Sequence, residues 1–307
     1  LEKIADLRYG ENPHQKASFY KDKDYSGGAS LANAKQFQGK ELSYNNIMDA
    51  DGALSLAREF SEPAVIFVKH ANPCGVAVAN NIDDAFFRAY EGDSKSAFGG
   101  IIAFNRTCTE KLAKEIASKF FEVVIAPDFE QETLEVFKAK PRLRVLSVGE
   151  IKQETSAETY RKVSGGLLVQ DLDIKQITDA DLKIVSKRKP TKDELENLKF
   201  AWTVIRHVKS NAIVLAKDNM AVGIGAGQQS RVDAVELAVK KSLNRNEGSV
   251  MASDAFFPFP DAVELAAKNG ITAIIHPGGS IRDEEVIKVV DELGLAMVVT
   301  GIRAFLH

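Results

Sequence analysis

Val65-Ile66-Phe67-Val68-Lys69-His70-Ala71-Asn72-Pro73-Cys74-Gly75 decides how the rest of the chain is read. The run of β-branched and aromatic residues predicts a buried strand. It ends abruptly in a cation, an imidazole, an amide and a turn punctuated by Pro73 and Gly75. In an open α/β sheet, ligands bind at the carboxyl ends of strands. Neighbouring side chains of an extended chain point to opposite faces, so Lys69 and His70 can serve one site only if the chain turns there. Taken singly, Lys69 reads as a solvated strand end and His70 as a satisfied core histidine. Taken as a pair, followed at once by Asn72-Pro73-Cys74-Gly75, they read as a site.

Outward from this stretch, strands and helices alternate. Upstream lies an amphipathic helix over residues 48–60, apolar at Ala50, Ala53, Leu54 and Ala57. Downstream come a helix over 82–90, the strand Ile101-Ile102-Ala103-Phe104, a helix over 109–119 capped by Thr109, and the strand Val123-Val124-Ile125-Ala126. A helix over 132–138 and a strand over 143–148 complete the run. This alternation predicts an α/β fold with mixed, largely parallel sheets covered on both faces. Between these elements, Ser94-Lys95-Ser96-Ala97-Phe98-Gly99-Gly100 reads as a flexible turn. Its paired glycines either let a ligand approach the backbone, with Phe98 as a stacking surface, or make only a tight turn. Near the start, residues 7–15 read as an ordered loop in which Arg8 and Tyr9 have the donors to grip a phosphate, although a plain surface loop is the commoner reading. Residues 25–30 read as a turn.

The pattern weakens over residues 149–190, apart from a strand over 166–170, and a lobe boundary is expected there. Thr191 with Glu194 forms a capping box that starts a long helix. Two apolar runs joined by Asp218-Asn219 predict a hairpin. The second run breaks into Gly225-Ala226-Gly227-Gln228-Gln229-Ser230-Arg231 ahead of another helix. Its glycines lack the third position of a dinucleotide fingerprint, so the loop reads as a polar pocket into which Arg231 reaches. Ser249 to Asp261 contains Phe256-Phe257-Pro258-Phe259-Pro260, too interrupted to continue a strand or helix. It reads either as a rigid apolar ligand wall beside Asp261 or as a plug between lobes. Helices over 262–269 and 283–293 and strands over 272–275 and 296–300 complete a second lobe. The closing Arg303-Ala304-Phe305-Leu306-His307 is unlike a disordered tail and is expected to dock.

With 307 residues, the chain suggests two lobes, here 1–165 and 166–307. A net charge of −3 argues against nucleic acid as the main partner. Cys74 and Cys108 offer no disulfide framework and suit a reducing compartment. No apolar run reaches the roughly 20 residues of a membrane span, and no signal peptide opens the chain, so a cytoplasmic protein without a membrane partner is expected. The first residue is Leu1 rather than Met, and a fragment of a longer chain and a stand-alone protein both stay open.

Seven ordered motifs carry a resemblance. They are Arg8 to Gln15, Lys69 to Gly75, Ser96 to Gly100, Lys209-Ser210-Asn211-Ala212-Ile213-Val214, Gly225 to Arg231, Ser253 to Phe259, and the closing Arg303, Phe305 and His307. Together they resemble the AICAR transformylase domain of bifunctional purine-biosynthesis proteins, from Leu7 to His307. The resemblance implies two cytidine-deaminase-like α/β/α lobes and a homodimer with active sites at its interface. It also implies transfer of a formyl group from 10-formyltetrahydrofolate to the 5-amino group of AICAR, an imidazole ribonucleotide. His70, Lys69 and Asn211 would form the catalytic group. Arg8, Tyr9, Phe98, Gly99, Arg231, Arg303 and His307 would hold the nucleotide, and Phe256, Pro258, Phe259 and Asp261 the folate. Deaminases need zinc, but Ala77 stands where their P-C-x-x-C would place a second cysteine, so no zinc is expected. K+ is left open as a bound monovalent cation.

The departures are specific. Pro260 stands where the family commonly has Arg, and Glu122 where some members place a nucleotide-contacting Asp. The stretch 243–249 is short. The upstream IMP cyclohydrolase domain lies outside this chain, so ring closure is not expected of these residues. A zinc-dependent deaminase-like hydrolase and a silent nucleotide-binding module remain as alternative readings.

Overall fold

Described by a computed structural model over residues 1–25, 28–153 and 158–307, the alternating elements assemble into one long sheet. Ser26 and Gly27 of the expected 25–30 turn lie outside the described residues. In chain order the elements are β1 (Glu2–Leu7), β2 (Ala17–Lys21), β3 (Lys35–Gln38), α1 (Tyr44–Ala57), β4 (Ala64–Lys69), β5 (Asn72–Val78), α2 (Ile82–Gly92), α3 (Ser94–Ala97), β6 (Ile101–Phe104), α4 (Glu110–Ala117), β7 (Val123–Ala126), α5 (Gln131–Phe137) and β8 (Arg144–Ser147). They continue with β9 (Glu158–Val163), β10 (Gly166–Asp171), β11 (Lys183–Ile184), α6 (Lys192–Ile205), β12 (Ile213–Lys217), β13 (Met220–Gly225), α7 (Arg231–Ser242), β14 (Val250–Ser253), α8 (Asp261–Lys268), β15 (Ala273–His276), α9 (Asp283–Glu292) and β16 (Ala296–Val299).

The main sheet has 12 strands in the order β11-β16-β15-β14-β12-β13-β5-β4-β6-β7-β8-β3, and it reads as one motif used twice. Each half has a covering helix (α1 or α6), a hairpin (β4–β5 or β12–β13) and a helix packed on that hairpin (α2 or α7). Three parallel strands follow (β6, β7 and β8, or β14, β15 and β16), with an antiparallel edge strand (β3 or β11) beyond them. Backbone hydrogen bonds repeat as well: Gly149 N–H donates to Pro127 O at 3.1 Å and Gly301 N–H to Pro277 O at 3.0 Å. The halves join where β5 and β13 run antiparallel, at Ala77 and Met220. Parallel character is thus confined to the two outer runs, because the central strands are hairpin partners and a short connection forces antiparallel pairing. The expected 165/166 boundary falls in the turn of the separate β9–β10 hairpin.

Both faces of the sheet are buried. Ile66 and Val68 point to a core shared by α1 and α6, with Leu54, Trp202 and Val214. Val65 and Phe67 point the other way, onto Phe86, Phe104 and Leu112, and Met251, Phe257 and Ile274 form the matching core under the second half's helices. Strands buried on both sides read as continuous apolar runs. The expected caps are present: Thr109 accepts from Leu112 N–H, and Thr191 and Glu194 form the capping box of α6. The stretch Ser94 to Gly100 begins as the one-turn helix α3, capped by Asp93. No helix of the described residues is long and apolar enough to cross a membrane.

One expectation is corrected. Asn72-Pro73-Cys74-Gly75 is not a turn; it is the start of β5. The register shifts from Phe67 opposite Gly75 to Val68 opposite Pro73, leaving Cys74 as the extra residue of a bulge that accommodates the proline. Ahead of the Phe256–Pro260 run, Val250–Ser253 is a further buried strand, β14, paired with β12 and β15.

Candidate active site at the β4–β5 turn

Lys69 and Asn72 close a two-residue loop whose central residues, His70 and Ala71, both have positive φ, 52° and 56°. That is the geometry that matches strand twist in a hairpin, yet for residues with a Cβ the left-handed region costs roughly 1 kcal/mol or more each. Asp49 on α1 offsets this. Its carboxylate accepts the N–H of His70 at 3.1 Å and of Ala71 at 2.7 Å. The turn therefore sits where the sequence demanded one, leaving His70 exposed and Lys69 half-buried. Lys69 Nζ donates to the Phe98 carbonyl at 2.9 Å, against the tight backbone of Gly99 (φ 66°).

Asn72 carries the site across to the other half of the sheet. Its amide donates to the His70 carbonyl at 3.2 Å and accepts the Lys209 N–H at 3.0 Å. Lys209 begins the Lys209-Ser210-Asn211 segment that leads into β12, and Asn211 follows a cis peptide. The Asn211 side chain is held at both ends: Nδ2 donates to Gln229 O at 3.0 Å, and Oδ1 accepts from Arg231 at 2.9 Å. An amide nitrogen has two hydrogens, so one remains for a ligand.

The nucleotide expectation for Arg231 meets a different geometry. The residue is 8% exposed, its guanidinium bonded to the Asp254 carboxylate, to Ser253 Oγ at 2.8 Å and to Asn211. A fork so committed orients Asn211 instead of reaching into open space. Asp254, fully buried at the end of β14, also accepts from Ser210 Oγ at 2.6 Å, and its carbonyl accepts from Ala304 N–H at 2.9 Å. The closing peptide docks on the same segment, through Leu306 N–H to Ser210 Oγ at 3.1 Å and Lys209 Nζ to His307 O at 2.7 Å. Burial lowers the pKa of Lys209, with the Arg161 cation adding to the effect.

The remaining expected residues have their own surroundings. Phe98 is exposed and leans on Phe120, ring centroids 5.2 Å apart. Arg8 and Tyr9 follow β1, in a loop tethered to α1 by Asn45 donating to Glu11 O at 3.3 Å. Arg303 lies over the Phe305 ring, which meets His307 edge-on. Glu122 accepts from Asn46 at 2.8 Å. In the aromatic stretch, Phe257 is core, while Phe256, Pro258 and Phe259 face outward beside the exposed Asp261. Arg282 stands 4.6 Å over the Phe259 ring. Sequence reading missed Asp49, Asn72 as a brace, Asp254 and Phe120. For Asp254 a signal existed, a carboxylate closing an apolar run; the others have meaning only through their spatial partners.

Residues 1–241 match the model of the AICARFT/IMPCHase bienzyme family. The chain belongs to that family. It is 55% identical over all 307 residues to the bifunctional purine biosynthesis protein PurH of Bacillus cereus (strain B4264), and equally to that of Bacillus cytotoxicus; the Bacillus anthracis protein is 54% identical. The chain spans 60% of the length of each of these relatives. In this member of the AICARFT/IMPCHase bienzyme family, the described residues contain no group of three or more His, Cys, Asp or Glu side chains able to hold a metal. The Cys74 thiol is buried, and burial pushes its pKa up to about 12, far from a metal-binding thiolate.

Proposed function

We propose that this chain carries the formyltransferase step of purine biosynthesis: 10-formyltetrahydrofolate and AICAR give tetrahydrofolate and FAICAR, on the route to IMP. The observation that supports the reading is the Asn72 amide, bonded to the His70 carbonyl and the Lys209 N–H, because it ties the turn that carries His70 to the Lys209-Ser210-Asn211 segment.

The AICAR amine is a poor nucleophile, its lone pair delocalised into the ring and carboxamide, so it must lose a proton as it attacks. His70, exposed at the turn, is the base that accepts this proton. The new C–N bond puts charge on the formyl oxygen, where the spare Asn211 N–H and the Lys69 ammonium stabilise it. The bond from the formyl carbon to the folate nitrogen then breaks, and that nitrogen takes a proton from Lys69 or the His70 imidazolium. Arg8, Tyr9 and Arg303 hold phosphate and ribose, Phe98 and Gly99 face the base, and His307 closes the nucleotide site. Phe256, Pro258 and Phe259 receive the flat pterin, with Asp261 on its amino-pyrimidine edge. Arg282, over Phe259, supplies a cation at the wall where Pro260 withholds one. K+ enters no step of this chemistry.

The enzyme acts in the cytoplasm as a homodimer with sites at the subunit interface. The β9–β10 hairpin supports this, since Tyr160, Leu167, Leu168 and Val169 all lie exposed on it. Sedimentation analysis should give a dimer. The test of function is tetrahydrofolate formation, followed by absorbance with and without AICAR. His70→Ala should keep nucleotide binding while turnover falls about 10²-fold or more. Near wild-type turnover in that variant excludes His70 as the base, and stoichiometric zinc with hydrolytic deamination of the nucleotide would favour a deaminase.

A further inference from the structure

The turn that presents His70 is held from outside itself. A two-residue hairpin loop with two positive φ angles favours Asn-Gly or Asp-Gly, and here it carries His70 and Ala71. Both of their N–H groups end on one carboxylate, Asp49, each on its own oxygen. Asp49 stands on α1, which is fixed by its Ser43–Asn46 capping box and by the buried Ala50, Ala53 and Leu54. Beyond the turn, the Asn72 amide takes the His70 carbonyl on one side and the Lys209 N–H on the other. The chain Asp49, His70 backbone, Asn72, Lys209 backbone is continuous, and it ends two residues from Asn211.

We propose that Asp49 is a positioning residue for His70. Its carboxylate sets the left-handed turn, and Asn72 carries that setting to the segment bearing Asn211. The base and the formyl-oxygen donor are then placed by one hydrogen-bonded frame. The proposal rests on the reading of His70 as the base. Asp49 itself stays off the reacting atoms, because its oxygens are used by the backbone.

The experiment measures formyl transfer in wild type, Asp49→Ala, Asp49→Asn, His70→Ala and the double variant Asp49→Ala/His70→Ala, with circular dichroism to verify folding. Asp49→Ala should lower kcat about tenfold or more with KM for AICAR within about threefold, the mark of lost orientation rather than lost binding. Asp49→Asn keeps the side-chain shape and one acceptor oxygen, so an intermediate kcat is expected; it is the variant to read if the alanine form does not fold. Adding Ala71→Gly to Asp49→Ala should restore part of kcat, since glycine adopts the turn unaided. Amide exchange at His70 and Ala71 should quicken in Asp49→Ala. With His70 already removed, losing Asp49 should cost clearly less than it does in the wild type, because only the Asn211 donor is left to misplace. Wild-type kcat in folded Asp49→Ala, or an equal loss from Asp49→Ala with and without His70, overturns the proposal while leaving the site reading intact. Activity in His70→Ala overturns both.

Discussion

The hairpins β4–β5 and β12–β13 are equivalent members of the repeat, and each closes in two left-handed residues. In the second, Asp218 and Asn219 have φ of 53° and 55°, and their side chains tolerate that region. The strand pairing puts this tip at the opposite end of the sheet. There it is absorbed by packing: Asn219 N–H donates to Asn197 of α6 at 2.8 Å, Val78 N–H donates to the Asn219 carbonyl at 3.0 Å, and Arg88 of α2 bonds the Asp218 carbonyl. In the first, His70 and Ala71 do not favour the turn, and the turn is bonded to a carboxylate on another element. The difference teaches where to look for function. A turn built from residues that favour it is joinery, and a turn built against preference marks a place whose side chains were chosen for another task.

Grafting one tip onto the other breaks the comparison most severely. The double substitution His70→Asp/Ala71→Asn should leave the melting temperature unchanged or raised and reduce formyl transfer by about 10²-fold or more. Retained turnover would make the tips interchangeable. Next come the glycines that admit the packed helices. A Cβ on Gly75 would stand 2.2 Å from the Ala89 carbonyl oxygen, and one on Gly223 2.2 Å from that of Ala238. Gly75→Ala and Gly223→Ala should each lose about 3 kcal/mol in urea unfolding. Unequal losses would show that the halves are not mechanically alike.

The acid stability of the two halves should differ too. His276 ends β15 where Ala126 ends the equivalent β7. Burial depresses its pKa from 6.5 to about 4; the Asp283 charge opposes this and the Arg231 charge adds to it. Its Nδ1 accepts the Gly278 N–H at 3.1 Å, so the ring is neutral when folded. The unfolded chain binds the proton first, so the contribution is complete above pH 6.5 and lost as pH falls towards 4. The loss amounts to about 3 kcal/mol. His276→Gln should flatten stability over this window, and an unchanged acid profile would refute the assignment. The smallest effect is expected from Asp218→His/Asn219→Ala, a loss of about 1 kcal/mol in stability with turnover within about twofold of wild type.

Much of the fold was legible because its signals are local. Thr109, Thr191 and Glu194 announce helix starts through their own neighbours, and Asp218-Asn219 announces a hairpin through its backbone preference. The first hairpin was hidden because Pro73 and Gly75 are stronger turn residues than His70 and Ala71, and only the pairing of β5 with two other strands overrides them. Strand β14 was hidden by its shortness, Val-Met-Ala-Ser, beside a far more conspicuous aromatic run. At the proposed site, residue type and motif singled out Lys69, His70 and Asn211, and the fold ties the His70 turn to the segment that leads to Asn211. The partner of Arg231 was not, since Asp254 lies 23 positions on and only strand order brings them together.

Hydrophobic period, caps and turn residues act over a few neighbours, so the order and kind of most elements were written in the chain itself. Which ends of those elements face one another was settled by the sheet. The pairing of Ala77 with Met220 joins segments far apart in sequence, and a long-range ladder forms only when the whole arrangement buries both faces. That pairing joins the halves, and at the other end of β5 the Asn72 amide ties the His70 turn to the segment that leads to Asn211.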